Sequence, residues 1–205
     1  IAAIAKEIPA GAKVMITYGG GSIKANGVYE QTLKALEGHA VVEFGGIEPN
    51  PEYKTLMGAV ELARREKVDL LLAVGGGSVL DGTKFIAAAV PFEGEPWDIM
   101  NKGAKVKSAV ALASILTLPA TGSESNTFAV VSRRETGEKL AFSSVHVFPK
   151  FAVLDPETTM SLPPRQVANG VVDAFMHTLE QYLTFPVQAE LSDRFAEAIL
   201  QTLVA

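Results

Sequence analysis

The sequence contains no cysteine among its 205 residues, which excludes disulfide bonds and thiolate metal sites. It contains no apolar run of the roughly 18 residues that a membrane-spanning helix requires. It also lacks a basic excess, since 18 Lys and Arg stand against 23 Asp and Glu and give a net charge of −5. This balance argues against nucleic acid as a partner, because a phosphate backbone demands a basic face. The remaining composition, 48% hydrophobic, is typical of a globular protein, and the lack of cysteine fits a cytoplasmic location.

Strand and helix signals alternate along the first three quarters of the chain. Short apolar runs predict buried strands at residues 13–18, 40–44, 69–74 and 110–118. Helical patterns follow the first three of them, at residues 24–36, 51–67 and 78–89. A β-hairpin is predicted at 128–134 and 139–143, and a short strand at 151–154. Buried strands joined by helical crossovers are typical of a parallel sheet, so we expect an α/β, Rossmann-like domain over residues 1–161.

The pattern changes near residue 162, where consecutive helices replace the alternation. Pro163-Pro164 opens a long helix that extends to about Thr184, because proline suits a first helical turn. Pro186 interrupts the chain, and a second amphipathic helix follows. We therefore expect residues 162–205 to be the beginning of a helical domain, for which the family resemblance described below implies metal binding. The chain starts without methionine and ends in an uncapped helix, so we interpret it as a piece of a longer protein.

A glycine-rich turn, Gly75-Gly76-Gly77-Ser78, follows the predicted strand at 69–74 and opens the next helix. Glycines there let the backbone approach a ligand, and the unpaired amides of a helix N-terminus favour an anion such as a pyrophosphate. The turn matches neither the dinucleotide fingerprint G-x-G-x-x-G nor the P-loop. The residues alone leave two alternatives open: a phosphate site, or a tight strand-to-helix turn that Ser78 caps.

Two further polar turns follow predicted strands. Gly19-Gly20-Gly21-Ser22 comes after the strand at 13–18, and a segment from Thr117 to Asn126, rich in hydroxyl groups, leaves the strand at 110–118. Ligands bind open α/β sheets at the carboxyl ends of the strands, where such turns lie. We therefore expect both segments to contact a nucleotide. The alternatives are a flexible surface loop for the first and a helix-capping segment for the second.

One predicted helix carries a polar stripe on an otherwise apolar surface. Four polar residues share one face because they are spaced three and four positions apart: Gln166, Asn169, Asp173 and His177. Such a helix is expected to be buried, with its stripe towards a partner, a cavity or a metal. Asp173 and His177 can ligate one cation together, and the alternative is a buried Asp–His ion pair. The other histidines, His39 and His146, lie in unrelated parts of the chain.

Four motifs follow one another along the chain: Gly45-Gly-Ile-Glu-Pro-Asn-Pro51, Ala73-Val-Gly-Gly-Gly-Ser-Val-Leu-Asp-Gly-Thr-Lys84, Leu116-Thr-Leu-Pro-Ala-Thr-Gly-Ser-Glu124 and Leu162-Pro-Pro-Arg-Gln-Val-Ala-Asn-Gly-Val-Val-Asp-Ala-Phe-Met-His177. In this order they resemble the motifs of the iron-containing (group III) alcohol dehydrogenases, in particular their NADPH-dependent aldehyde reductase and butanol dehydrogenase branch. The resemblance implies that the Gly-Gly-Gly-Ser turn binds the pyrophosphate of a dinucleotide. The residues expected to bind the cofactor are Gly20, Ser22, Asn50, Gly76, Gly77, Ser78, Asp81, Thr117, Thr121, Asn126 and Lys139.

The resemblance also implies a metal site and an assembly. Asp173 and His177 match the first two metal ligands, and the two histidines that complete the site in such enzymes are expected outside this chain, as is the first strand of the sheet. No catalytic residue besides the metal ligands is expected. We expect Fe²⁺ or Zn²⁺, since oxygen and imidazole ligands suit both. The full-length protein is expected to form a homodimer.

The implied reaction is metal-assisted hydride transfer between NADP(H) and an aldehyde or primary alcohol, mainly as aldehyde reduction. NADPH is favoured over NADH because the loop from Tyr18 to Lys24 offers amides, a hydroxyl and a cation to a 2′-phosphate, and no carboxylate. This hypothesis requires the glycine turns and the Asp173/His177 face to open onto one crevice. Two alternatives are a glycerol dehydrogenase-like polyol oxidoreductase and a nucleotide-binding module without catalysis, which this chain by itself would be.

Overall fold

A computed structural model describes residues 1–184 and 189–205 of the chain. It contains two compact units, Ile1–Met160 and Ser161–Ala205. The predicted chain break at Pro186 lies outside the described residues. Within the two described stretches, no helix combines the length and the hydropathy needed to cross a membrane.

The first unit is built around a five-stranded parallel sheet. Its strands in chain order are β1 (Lys13–Tyr18), β2 (Ala40–Phe44), β3 (Leu70–Gly76), β4 (Ala111–Leu118), β5 (Phe128–Arg133), β6 (Glu138–Ser143) and β7 (Ala152–Val153). Five of them lie side by side in the order β2-β1-β3-β4-β7, and every neighbouring pair is parallel. β5 and β6 form the predicted antiparallel hairpin as a separate sheet. The predicted fold class, a parallel α/β sheet followed by helices, is confirmed.

Helices connect the strands of the sheet and cover both of its faces. They are α1 (Ser22–Ala25), α2 (Val28–Ala35), α3 (Tyr53–Glu66), α4 (Gly77–Ala89) and α5 (Asp98–Asn101). Alternate strand residues point to opposite faces, so Val14 and Ile16 of β1 lie in the core on the side of α1 and α2, and Met15 lies in the core with α3 and α4. The chain runs from β1 out to β2 and returns to β3 on the other side of β1. The strand order therefore reverses between β1 and β3, where open α/β sheets bind ligands.

Two helices, α1 and α2, replace the single helix that we predicted at 24–36. Gly27 separates them with a φ of 80°, in the left-handed region that favours glycine. The one-turn helix α5 was not predicted, because four residues show no helical period. The strand predicted at 69–74 continues to Gly76, so the first two glycines of the glycine-rich turn belong to β3.

The second unit contains α6 (Pro164–Thr184) and α7 (Glu190–Val204). The Tyr182 hydroxyl on α6 donates a hydrogen bond of 3.1 Å to Glu197 on α7. The burial that we predicted for α6 is wrong for the described residues, since none of its side chains is buried. A unit of two helices is too small to enclose a side chain, and apolar residues such as Val172 and Met176 are exposed.

Candidate functional site

The two glycine turns lie next to each other at the carboxyl ends of β1 and β3. A Cβ atom on Gly19, directly after β1, would lie 3.7 Å from the side chain of Val79 in the first turn of α4. The amide of Gly46, in the loop after β2, donates a hydrogen bond of 3.0 Å to the carbonyl of Gly19. Three loops that are distant in sequence therefore meet at one edge of the sheet.

The N-terminus of α4 presents its first amides without a capping side chain. Gly76 is the N-cap residue, and the first turn contains no acidic residue. Ser78, which we considered as a cap, is the second residue of the helix, and its Oγ accepts a hydrogen bond of 3.3 Å from the amide of Asn50. The partial positive charge of this helix end is therefore available to an anion.

Asn50, Ser78 and Lys139 come together from three separate elements. Asn50 lies before α3 with a φ of 58°, a left-handed conformation that asparagine tolerates. The backbone amide of Asn50 donates a hydrogen bond to Oγ of Ser78, and the side-chain Oδ1 of Asn50 accepts a hydrogen bond of 2.7 Å from Nζ of Lys139 on β6. Lys139 thus adds a cation beside the uncapped helix end. The structure makes neighbours of three residues that we expected to bind the cofactor.

Thr121 packs directly on Gly77, the first residue of α4. A Cβ atom on Gly77 would lie 2.5 Å from both Cγ2 and Oγ1 of Thr121, a distance that side-chain carbons do not adopt. Thr121 Oγ1 also accepts a hydrogen bond of 3.2 Å from the amide of Ser123. Glycine at position 77 therefore brings the segment after β4 against the start of the helix.

Thr117 lies at an irregularity near the end of β4. Gly75 pairs with Leu116, but Gly76 pairs with Leu118, so Thr117 is skipped in the ladder. A Cβ atom on Gly76 would lie 3.2 Å from Cβ of Leu118. Because glycine has no Cβ atom, β3 and β4 can approach each other closely at this point. Irregularities of this kind re-aim side chains next to binding sites.

Two charged residues of α4, Asp81 and Lys84, bond the segment that follows β4. Asp81 accepts hydrogen bonds from Ser123 Oγ at 2.7 Å and from the amide of Val130 at 3.0 Å, so both of its oxygens have partners inside the unit. Burial raises the pKa of Asp81. Lys84, which our sequence analysis did not select, is fully buried, and burial lowers its pKa to about 8. The signal that identifies it is a charged residue three positions after Asp81 on an otherwise mostly apolar helix.

The turn after β1 leaves Gly20 and Ser22 at the surface. Nothing lies within 4 Å of the position of a Cβ atom on Gly20, and Ser22 is the exposed first residue of α1. Gly21 between them has a φ of 99°, which favours glycine. Open space therefore borders this turn, on the same edge of the sheet as the start of α4.

The loop from Tyr18 to Lys24 contains no carboxylate, as we stated, but Glu43 of the neighbouring strand β2 places one beside it. The parallel register pairs Glu43 with Ile16, and its carboxylate lies 3.6 Å from Nζ of Lys24. Glu43 also accepts hydrogen bonds from the Tyr29 and Tyr18 hydroxyls, at 2.5 and 3.2 Å, and the Tyr29 bond holds the pKa of Glu43 below its usual value. The cation that we assigned to a 2′-phosphate is thus partly compensated by a carboxylate from a neighbouring strand.

Asp173 and His177 lie together on α6, as their spacing predicts. Asp173 Oδ1 is 3.7 Å from His177 Nε2, and both side chains are more than half exposed, so they are not the buried ion pair that we considered. Among residues 1–184 and 189–205, no group of three or more histidine, cysteine or acidic side chains could hold a metal ion. His39 lies elsewhere, with Nδ1 3.2 Å from the carbonyl of Ala12. Asp173 and His177 are therefore neighbours on α6, and their role as metal ligands stays a prediction.

Comparison with known proteins agrees with this arrangement. Residues 1–156 match the sequence profile of the iron-containing alcohol dehydrogenases. The chain belongs to the iron-containing alcohol dehydrogenase family. It is 64% identical over 207 residues to the NADPH-dependent aldehyde reductase YqhD of Escherichia coli (strain K12), a match that covers 100% of this chain and 54% of that protein. The family identification that we made from the four motifs is confirmed.

Two further relatives extend the comparison. The chain is 44% identical over 196 residues to the NADH-dependent butanol dehydrogenase B of Clostridium acetobutylicum, covering 95% of this chain and 50% of that protein. The substrate- and cofactor-free form of the aldehyde reductase YqhD from E. coli superposes with a TM-score of 0.90 and 60% identity, covering 100% of this chain and 53% of that one. The chain thus spans about half the length of these two curated relatives.

Proposed function

We propose that the protein of which this chain is a part is an oxidoreductase that reduces an aldehyde to a primary alcohol with NADPH and a divalent metal. The chain supplies the dinucleotide-binding unit and the first two metal ligands. One observation carries the proposal: the uncapped N-terminus of α4 lies at the strand-order reversal, beside Lys139 and the turn after β1. The similarity to an NADPH-dependent aldehyde reductase supports the choice of substrate.

The edge of the sheet fits a dinucleotide diphosphate in charge and in shape. No side chain caps the first amides of α4, and no acidic side chain in that turn repels an anion. Gly76 and Gly77 lack side chains that would collide with Leu118 and Thr121, so the start of α4 can pack closely against the segment after β4. Lys139 contributes a charge, and Asn50 and Ser78 contribute polar groups. Thr117, Thr121 and Asn126 lie on the next segment of the same edge, where the ribose and carboxamide of the nicotinamide half would bind.

The choice of NADPH depends on the turn after β1. Gly20 and Ser22 border open space there, and a 2′-phosphate needs donors and positive charge. Lys24 supplies the charge, but Glu43 offsets part of it. We therefore propose a moderate preference for NADPH in place of an absolute one. One relative named for NADPH is 64% identical to this chain, and one named for NADH is 44% identical. This agrees with a cofactor preference that a few residues decide.

Asp173 and His177 would hold the metal. A carboxylate and an imidazole separated by one helical turn are a donor set that Fe²⁺ and Zn²⁺ accept, and both side chains are exposed to a cation. When bound, the cation would polarise the carbonyl oxygen, and the dihydronicotinamide would supply the hydride. The proposal requires two further metal ligands from outside this chain. It also requires a substrate that reaches both the cation and the dihydronicotinamide. We also propose that the complete enzyme is a cytoplasmic homodimer.

The test is NADPH oxidation at 340 nm with butanal, measured on the complete enzyme before and after dialysis against a chelator. We expect turnover that falls to background in metal-free protein and returns with Fe²⁺ or Zn²⁺. Full activity without metal would refute the metal's role. Preference for glycerol over butanol in the reverse reaction would favour the polyol alternative, and NADPH binding without any turnover would favour a nucleotide-binding module.

A further inference from the structure

Helix α4 carries one fully buried charged residue, Lys84, and one half-buried charged residue, Asp81. Lys84 is 0% exposed, and Asp81 precedes it by three residues on the same face of the helix. Burial of a charge is unfavourable unless partners compensate for it. An apolar residue at position 84 would fill the same space without this cost, so the contacts of Lys84 indicate its role.

The contacts of Lys84 and Asp81 fall on the segment that follows β4 and on the first residues of β5. Nζ of Lys84 donates to Oδ1 of Asn126 and to the carbonyl of Phe128, both at 2.9 Å. Asp81 accepts from Ser123 Oγ and from the amide of Val130. The two charges thus hold residues 123–130 at four points. Thr121, two residues before Ser123, rests on Gly77 at the start of the same helix.

Lys84 also determines which atom of Asn126 can meet a ligand. The Asn126 Oδ1 atom accepts a second hydrogen bond of 2.9 Å, from the amide of Phe128. Because Lys84 and the Phe128 amide are both donors, the side-chain oxygen of Asn126 must face them. The side-chain NH₂ group of Asn126 then points the other way, and it lies 4.0 Å from the position of a Cβ atom on Gly122. Without Lys84, the amide loses one of the two contacts that fix this orientation.

We propose that Asp81 and Lys84 are positioning residues of the dinucleotide site, which hold residues 121–126 in register with the phosphate-binding start of α4. Neither side chain touches the cofactor in this arrangement. Asp81 acts through Ser123 and Thr121, and Lys84 acts through Asn126. The assignment revises our expectation that Asp81 binds the cofactor directly, and it rests on the proposed function of the α4 N-terminus. The lowered pKa of Lys84 agrees with a lysine kept for its hydrogen bonds in a site of low polarity.

The test compares Lys84→Met with wild type and with Lys54→Met, which removes an exposed lysine from α3. Loss of the two hydrogen bonds should raise the Kd and the KM for NADPH by about tenfold or more, with the KM for butanal unchanged. Affinity for 2′,5′-ADP, the adenosine half of the cofactor, should stay within about twofold of wild type, because that half does not reach residues 121–126. Lys54→Met should match wild type in all four values.

A second variant keeps the proposal testable where Lys84→Met is poorly folded. Asn126→Asp retains an acceptor for Lys84 but removes the NH₂ donor, so it should fold, as judged by circular dichroism, and show the same selective loss of NADPH affinity. Equal NADPH affinity in both variants and wild type would overturn the positioning role alone. A parallel loss of NADPH and 2′,5′-ADP affinity in Asn126→Asp would overturn it as well. Failure of wild type to bind NADPH would overturn the proposed function with it.

Discussion

Gly77→Ala should destabilise the protein, although alanine is ordinarily the better helix former. The added Cβ would lie 2.5 Å from Cγ2 and Oγ1 of Thr121 and 3.1 Å from its Cβ. Normal carbon contacts are about 3.5–4.0 Å, so the overlap is roughly 1 Å. Overpacking of this kind costs about 1–3 kcal/mol, and the helical preference of alanine returns at most about 1 kcal/mol. We expect the free energy of unfolding to fall by about 1–2 kcal/mol.

The assay is unfolding by urea and by heat without cofactor, monitored by circular dichroism. The expected loss of unfolding free energy lowers Tm by about 2–8 °C. Gly58→Ala is the matched control, because Gly58 is an exposed residue of α3 whose Cβ would meet Phe44 at an ordinary 3.7 Å. It should stabilise the protein by about 0.5–1 kcal/mol. Adding Thr121→Ala to Gly77→Ala should restore most of the loss. Gly77→Ala with wild-type stability, or a double variant no better than the single one, would refute the reasoning.

Three further predictions concern titration, cofactor choice and metal. Burial lowers the pKa of Lys84 from 10.5 to about 8, so between these pH values the folded state binds fewer protons than the unfolded state. The free energy of unfolding of the wild type, measured in urea, should therefore rise from about pH 8 to 10.5 relative to that of Lys84→Met. Parallel pH curves for the two proteins would contradict this. Glu43→Gln should lower the Kd for NADPH about two- to fivefold, with little change for NADH, because Lys24 loses its ion pair; equal shifts would contradict this. Asp173→Ala and His177→Ala should each lose bound metal, measured by inductively coupled plasma emission spectroscopy, while the Kd for NADPH stays unchanged. Normal metal content in either variant would exclude that residue as a ligand.

Local patterns were enough to predict most of the fold. Buried apolar strands and amphipathic helices have periods that a sequence displays, so the parallel sheet, the hairpin and α6 were placed within a few residues. Gly27 shows the limit of this approach, since its left-handed conformation divides a helix whose apolar pattern continues through it. The burial of α6 was predicted from composition, but burial depends on what packs around a helix, and the described part of the second unit contains only α6 and α7.

The candidate site was predicted in part, for a related reason. Gly77 and Ser78 are adjacent in sequence and follow a strand, so their place at the sheet edge could be inferred from the pattern. Glu43 and Lys84 could not be assigned in this way, because their partners are 14 or more residues distant and depend on strand register and on the path after β4. A cofactor preference inferred from one loop is therefore incomplete until the neighbouring strand is known.

The most direct test of the cofactor site is hydrogen–deuterium exchange of the complete enzyme with and without NADPH. The first amides of α4 have no helical partner and should exchange rapidly in the free protein. We predict that saturating NADPH slows exchange in peptides that contain residues 76–80 and 117–126, because we propose that the diphosphate and the nicotinamide half bind there. NADPH binding that leaves exchange at residues 76–80 unchanged would contradict the assignment of the α4 N-terminus as the diphosphate site.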